Sequence, residues 1–331
     1  MSIESRAYAR AGLLGNPSDG YFGKIVAITV KNFSATVSLQ ESEELRIEAH
    51  SRDASVYKNM DELVERIELY GYYGGVRLVK AAIKKFSDYC RNQKITPKEK
   101  NFTIQYESTI PRQLGLGGSS AIITAVMRAL MEYYKVDIPL EVLPSLILDA
   151  EVKELGINAG LMDRVIQVYE GCMYMDLNKK HLEEKGHGIY ERLDMKLLPH
   201  LFIAYKPSLG KVSGQVLDDI RVGYERGDKF VLDTLHRLAE IAEAGKKALL
   251  QGGSGRLHDL MNENFDRRSQ IMKISESNLE MIHTARQCGA SAKFAGSGGS
   301  IIGLYTDEEM FAHLKAELEK LQAVVIQPLI D

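Results

Sequence analysis

Pro111-Arg112-Gln113-Leu114-Gly115-Leu116-Gly117-Gly118-Ser119-Ser120-Ala121 decides the reading of this chain. The residues before it, Phe102 to Ile110, alternate apolar and polar side chains, as a half-buried strand does. After it, Ala121, Ile122, Ala125, Val126, Ala129, Leu130 and Tyr133 recur every three or four residues, the pattern of an amphipathic helix. A strand thus feeds a glycine-rich turn that opens a helix. Such a turn seats an anion: glycines let the backbone approach closely with several N–H groups aligned, and the helix start adds roughly half a positive charge. Ser119 and Ser120 place hydroxyls there, able to cap the helix or to reach a phosphate or a metal.

A flexible turn with a serine cap is the plain alternative, but Gly-Leu-Gly-Gly-Ser-Ser is more demanding than a turn requires. No Gly-x-x-x-x-Gly-Lys-Ser/Thr occurs, which excludes an ordinary P-loop. A dinucleotide fingerprint wants glycine or alanine three residues after Gly117, where Ser120 stands. A nicotinamide oxidoreductase using this loop with Asp137 on the ribose therefore lacks its third glycine.

The chain has 331 residues, of which 45% are hydrophobic, enough for one large or two medium domains. Its 42 basic and 45 acidic residues leave a net charge of −3, with no basic excess to replace nucleic-acid counterions, so nucleic acid is not an expected partner. Neither a run of eighteen apolar residues nor a hydrophobic signal core is present, so the expectation is a soluble cytoplasmic protein with no membrane association. Cys90, Cys172 and Cys288 are far apart and read as buried thiols. The histidines show no ligand spacing.

Along the chain, Tyr8 to Gly15 leads into the turn-forming Asn16-Pro17-Ser18-Asp19-Gly20, and a strand pattern resumes at Ile25–Val30 and Ala35–Leu39. A turn accounts for Asn16 to Gly20 but not for Arg10. Residues 61–91 are helical by periodicity with a break at Gly71 to Gly75, where Tyr72 and Tyr73 either pack or stack on a ring. A helix over 139–155 closes at Gly156, with Glu151 in its last turn, where a carboxylate opposes the helix dipole unless a cation compensates. A short helix carrying Asp163 near its start closes at Gly171. Strands are expected at 172–177, 189–194 and 201–205, and a composition shift near 195–215 marks a domain boundary. Helices are expected near 212–225, 228–250, 256–270, 277–288 and 307–322. A second glycine-rich segment, Ala292 to Ser300, leads into Ile301 to Tyr305 as a glycine loop between two strand-like runs, and a strand at 323–330 ends the chain.

Segments 10–20, 111–121 and 292–300, with Glu151 and Asp163 between the last two, resemble the GHMP kinases in order and content. These are small-molecule kinases acting on galactose, homoserine, mevalonate and phosphomevalonate. The resemblance spans essentially the whole chain. It is closer to the glucuronokinase group through Ser5 to Asp19, Gly71 to Leu78, Ile110 to Gln113, Gly118 to Ile122, Ala159 to Leu161 with Asp163 to Val165, Gly186 to Tyr190, and Phe294 with Gly296 to Gly299.

The resemblance implies an α+β, two-domain GHMP kinase-like fold, divided as 1–195 and 196–331, with the active site in the cleft between domains. It implies that residues 111–121 wrap the phosphates of ATP, and that Gly296, Ser297 and Gly298 approach them from the second domain. Ser120 and Glu151 are the implied Mg2+ ligands, and Asp163 the catalytic base or orienter of the attacking hydroxyl. Arg10 stands near the transferring phosphate, and Asn16, Asp19 and Arg164 on the substrate. The implied reaction phosphorylates the anomeric hydroxyl of D-glucuronate. A kinase for galacturonate, galactose or a heptose, and a non-catalytic nucleotide-binding protein, are the alternatives. Arg6, Arg112, Arg164 and Lys206 are all candidates for the sugar carboxylate. Two departures stand out: Asn16-Pro17 occupies the place of the family's common Glu-His. In addition, Gly117-Gly118 precedes the serines where one residue is commoner, which shifts the serine assignment by up to one position.

Overall fold

β1 (Ser2–Leu14) begins with alternate burial of Ile3, Ser5 and Ala7, then runs fully buried from Ala9 onward, carrying Arg10 into the interior at 5% exposure. The architecture, taken from a computed structural model, is described for residues 2–48, 75–98, 100–211 and 216–331. A turn with a cis Asn16–Pro17 bond and a 3-10 turn at Ser18–Tyr21 lead into β2 (Lys24–Ser42), the long antiparallel partner of β1. β3 (Arg46–Glu48), β4 (Asn101–Ser108), β5 (Cys172–Asp176) and β6 (Ile189–Leu193) complete this sheet in the order β3-β4-β2-β5-β6, with β1 on β2. β4 buries Phe102, Ile104 and Tyr106, the alternation its sequence shows.

Helices α1 (Gly75–Asn92), α2 (Gly118–Tyr134), α3 (Leu143–Asp149) and α4 (Met162–Tyr169) pack with this sheet. α2 is apolar on nearly every side because it lies against β1, β2 and α1 at once. Its sequence looks one-faced, but α1 covers the second face. The helix expected over 139–155 starts at Leu143, where Pro144 suits a first turn, and ends in a single π turn, Ala150–Glu154. Gly156, at φ +66, takes the left-handed position just beyond it. An unforeseen α5 (Lys179–Lys185) is capped by Asn178, whose side chain accepts from His181 N at 3.2 Å.

After residue 200 a second sheet is built from β7 (Leu201–Tyr205), β8 (Lys293–Phe294), β9 (Ser300–Leu304) and β10 (Val324–Ile326), ordered β10-β7-β9-β8. Of the helices that follow, α6 (Val216–Glu225) packs on α7 (Lys229–Leu250), and α7 lies against β1 and β2 of the first sheet and against α8 (Ser254–Ser269); α8, α9 (Glu276–Gln287) and α10 (Glu308–Lys320) pack on the second sheet. The last strand stops at Ile326 rather than 330: Pro328 has no N–H to donate, and Leu329 instead bonds to Lys31 and Asn32 of β2. The helix and glycine break read at 61–74, and the first residues of the helix read at 212–225, lie outside the described residues.

Candidate active site

The glycine loop sits between the two sheets and is locked from both sides. Leu114 and Leu116 are buried pegs at 2% and 1% exposure, and Arg10 N donates to Leu116 O at 3.1 Å. Ser300 Oγ donates to Leu114 O at 2.6 Å, and Gly12 N to Ala295 O at 2.7 Å. Gly115 has φ +66, and a Cβ there would stand 2.8 Å from Ser297 N and 2.9 Å from Gly298 O. Only glycine lets the loops 111–121 and 296–299 touch in this way. Pro111, Arg112 and Gln113 form its partly exposed rim, while Ala121 is fully buried and contributes only backbone.

Gly117, at φ +76, precedes the first turn of α2, whose free N–H groups and dipole favour an anion. Ser119 Oγ donates to Glu151 Oε1 at 2.6 Å. Ser120, assigned from sequence as the metal-binding serine, is fully buried and turns its hydroxyl back to Gly117 O at 3.1 Å. The hydroxyl beside the carboxylate is therefore Ser119, one position earlier. Consecutive residues point about 100° apart around a helix, so with Ser119 turned to Glu151 the hydroxyl of Ser120 faces its own helix start.

Glu151 itself is fully buried in the π turn, and Arg164 neutralises it through Oε2. This is the cation that a carboxylate at a helix end requires. Arg164 also donates to Gly160 O at 2.8 Å and is 3% exposed, so its fork is spent inside the protein. Of the other candidates for a sugar carboxylate, Arg6 pairs with Glu4 at 3.3 Å on the surface, and Lys206 with Glu280 at 3.0 Å.

Asp163, at the start of α4, receives two bonds of 2.7 Å from Arg10, Nε to Oδ1 and Nη2 to Oδ2. Arg10 spends its third nitrogen on Gly115 O, which ties this pair to the loop. Gln167, one turn beyond Asp163 and missed in the sequence reading, donates to Gly117 O at 2.8 Å and Tyr8 O at 3.2 Å. Its i+4 spacing from Asp163 was the available signal. Asp19 accepts from Met162 N at 3.3 Å, beside Asp163. Burial first, then the negative charge of Asp163, push the Asp19 carboxyl above its ordinary range, against the pull of Met162 N–H, Arg10 and Arg164.

Asn16 is 2% exposed and faces the second sheet: its Oδ1 accepts from Lys293 Nζ at 2.6 Å. Lys293 also donates to Gly12 O and Phe294 O, each at 2.7 Å. On α8, Asn264 Oδ1 accepts from Gly15 N at 2.6 Å, and one turn later Arg268 donates to Gly296 O at 2.7 Å. Asn16 is thus a tie between the halves as placed, with its amide oxygen already occupied. Nothing in local sequence marks Asn264 and Arg268, since their partners are 249 and 28 residues away.

A glycine loop at a helix start, a serine–carboxylate pair and an aspartate beside an arginine thus meet in one place, an arrangement that suits phosphoryl transfer to a small molecule. Residues 77–171 match the family of GHMP kinases N terminal domains and residues 246–322 that of GHMP kinases C terminal. The chain belongs to the GHMP kinases, which use ATP, and within them it is a glucuronokinase-like sugar kinase. It is 44% identical to Glucuronokinase 1 of Arabidopsis thaliana over 91% of this chain and 84% of that protein. With the Probable glucuronokinase 2 of the same plant the identity is 43%, covering 98% of this chain and 90% of the relative. A galactokinase structure from Lactococcus lactis shares the fold with a TM-score of 0.77, at 16% identity, over 99% of this chain and 93% of that one. Among the described residues, no helix is long and apolar enough to cross a membrane.

Proposed function

We propose that this protein phosphorylates the anomeric hydroxyl of D-glucuronate with ATP, giving the sugar 1-phosphate and ADP. The observation that carries the reading is the 44% identity to a glucuronokinase along nearly the whole chain. Supporting it, the Arg10–Asp163 pair stands against the loop that would hold the phosphates.

Phosphoryl transfer needs alignment and charge neutralisation more than covalent help from the protein. The loop 111–121, Gly296, Ser297 and Gly298 would surround the nucleotide phosphates. Arg10 faces the transferring group and keeps Asp163 in place. Asp163 holds the anomeric hydroxyl and takes its proton as the O1–Pγ bond forms and the bond from Pγ to the ADP oxygen breaks. Each Asp163 oxygen already accepts one bond from Arg10 and retains a second lone pair for that hydroxyl. Asp19 is placed to grip a sugar hydroxyl.

Ser119 Oγ and Glu151 are hard oxygen donors 2.6 Å apart, a pair that fits Mg2+. That ion takes few protein ligands and completes its shell with water and phosphate oxygens. Among the described residues no cluster of three or more His, Cys, Asp or Glu could hold a metal, so the protein share of such a site is this small pair. The ion supplies charge neutralisation on the phosphates. We divide the chain at 195/196, between the strands of the two sheets. The three cysteines are unpaired, which suits a reducing compartment such as the cytosol.

The test is a panel of glucuronate, galacturonate, galactose and heptoses with Mg-ATP, read by ADP release, with the phosphate then located on the product by NMR. Fastest turnover of glucuronate with phosphorus on O1 is expected. Faster turnover of a neutral sugar overturns the assignment.

A further inference from the structure

Lys293 and Arg268 are the unusual charges of this molecule. They are 1% exposed each, and among the described residues neither makes an ion pair. All three donors of Lys293 go to carbonyl oxygens: Gly12 O, Asn16 Oδ1 and Phe294 O. Arg268 donates to Gly296 O at 2.7 Å, with its guanidinium carbon 5.3 Å from the centre of the Phe294 ring. Carbonyl dipoles and a ring face steady a cation without cancelling its charge.

The acids nearby do not make up the difference. Asp163 is matched by Arg10 and Glu151 by Arg164; Asp19 faces Arg10, Arg164 and Arg268, and among the described residues no acid forms an ion pair with Lys293 or Arg268. Three acceptors at 2.6 and 2.7 Å use all three N–H groups of an ammonium, so the geometry holds Lys293 charged, while burial first and then the positive charges of Arg268 and Arg10 push its amine well below the usual lysine range. Arg268 is lowered to about 10 by burial, with Asp19 pulling the other way. Lys293 bonds to Gly12 and Asn16, on the same strand end and turn as Arg10 and Asp19, and Arg268 lies over Phe294 beside it, so the two cations share one low-dielectric wall with Arg10 and Asp19. A cation so placed is costly alone and is relieved by an arriving anion. Three of the four residues that sequence offered for a sugar carboxylate, Arg6, Arg164 and Lys206, are already closed on protein acids.

We propose that Lys293, backed by Arg268 and held through Asn16, is the residue by which the cleft selects an anionic sugar over a neutral one of the same shape. It is a positioning residue: its charge reaches the sugar through the Asn16–Asp19 turn rather than by contact. The neutral side chain at Asn16 is what leaves the lysine uncompensated. This rests on the glucuronate reading above and adds to it the source of the preference for charge.

The experiment compares D-glucuronate with D-glucuronamide, which replaces the carboxylate by an uncharged amide of equal size. Steady-state kinetics with Mg-ATP are run on wild type, Asn16→Asp and Lys293→Met, each checked for a cooperative melt. Asn16→Asp sets a carboxylate beside the ammonium and decides the matter alone should Lys293→Met fail to fold. The wild type is expected to prefer glucuronate, and the ratio of kcat/KM for acid over amide to fall about tenfold or more in both variants, mainly through the KM for the acid. General damage to the site slows both compounds together and leaves the ratio alone. A ratio within about twofold of wild type in Asn16→Asp overturns the proposal, as does a wild type indifferent to the charge. A wild type that phosphorylates neither compound overturns the glucuronate reading and this proposal with it.

Discussion

Ser119 Oγ and Glu151 Oε1 are hydrogen-bonded at 2.6 Å across 32 residues of sequence, while the adjacent Ser120 bonds only within its own helix start. One carboxylate and one hydroxyl, drawn from two helix ends, thus meet beside the glycine loop.

Ser119→Ala should therefore raise the Mg2+ concentration needed for half-maximal rate and cut kcat by about tenfold to a hundredfold, the worth of a hydrogen bond to a charged group. Ser120→Ala, which removes a bond of 3.1 Å to Gly117 O, should affect thermal stability more than the metal requirement. A Mg2+ titration of initial rates on both variants checks the order, and the reverse order would restore the assignment to Ser120.

Asp163→Asn keeps the shape of the carboxylate but neither accepts a proton nor matches both nitrogens of Arg10. Turnover should drop about a hundredfold to ten-thousandfold with nucleotide affinity nearly unchanged. Calorimetry of ATP binding alongside turnover separates the two effects. Near-normal turnover would remove Asp163 from its role.

Asp19 has a raised pKa, so the folded protein holds that proton more tightly than the unfolded chain does. Stability should then fall as pH climbs from the ordinary aspartate value through the raised one, and be flat above it. Asp19→Asn removes that slope and should melt higher than wild type at neutral pH, while its KM for the sugar rises. Melting curves from pH 3 to 8 provide the check, and a variant that melts lower throughout would show that the charge is stabilising as placed.

Glu243 is the opposite case. Its carboxyl is lowered to about 2 by the hydrogen bond from Lys24 at 2.5 Å, and next by Lys247. The stability it contributes is present above the ordinary glutamate value and should be lost as pH falls toward 2. Glu243→Gln should flatten that part of the acid melt. With the pair substantially exposed, the effect should be small and should shrink in salt.

Gly115→Ala forces a side chain into a left-handed backbone at φ +66 and against Ser297 N. A loss of about 1–3 kcal/mol in stability is expected, together with weaker ATP binding as the loops separate. Denaturant melts and ATP titration measure both, and unchanged ATP affinity would detach the loop contact from phosphate binding.

How much was legible beforehand follows the range of each interaction. The strand at Asn101–Ser108 and helix at Gly118–Tyr134 announce themselves by periods of two and 3.6, since burial on one side repeats locally. The second glycine loop was equally plain. α5 was missed because its seven residues bury nothing, so no apolar stripe marks it. Whether Ser119 or Ser120 faces Glu151 is a rotation of about 100° about the helix axis, which a string of letters does not record.

The sequence by itself determined most of the elements, the glycine turn at a helix start and the family, because glycine, serine and apolar spacing act through bonds within a few residues. It also supplied Arg10, Asp19, Glu151 and Asp163 as charges without stating which would cancel. The pairing of Arg10 with Asp163 and of Arg164 with Glu151, and the burial of Lys293 and Arg268 without a carboxylate, were decided only by the tertiary structure. The physical reason is that an ion pair depends on distance and dielectric, and both are properties of the packed protein rather than of the chain.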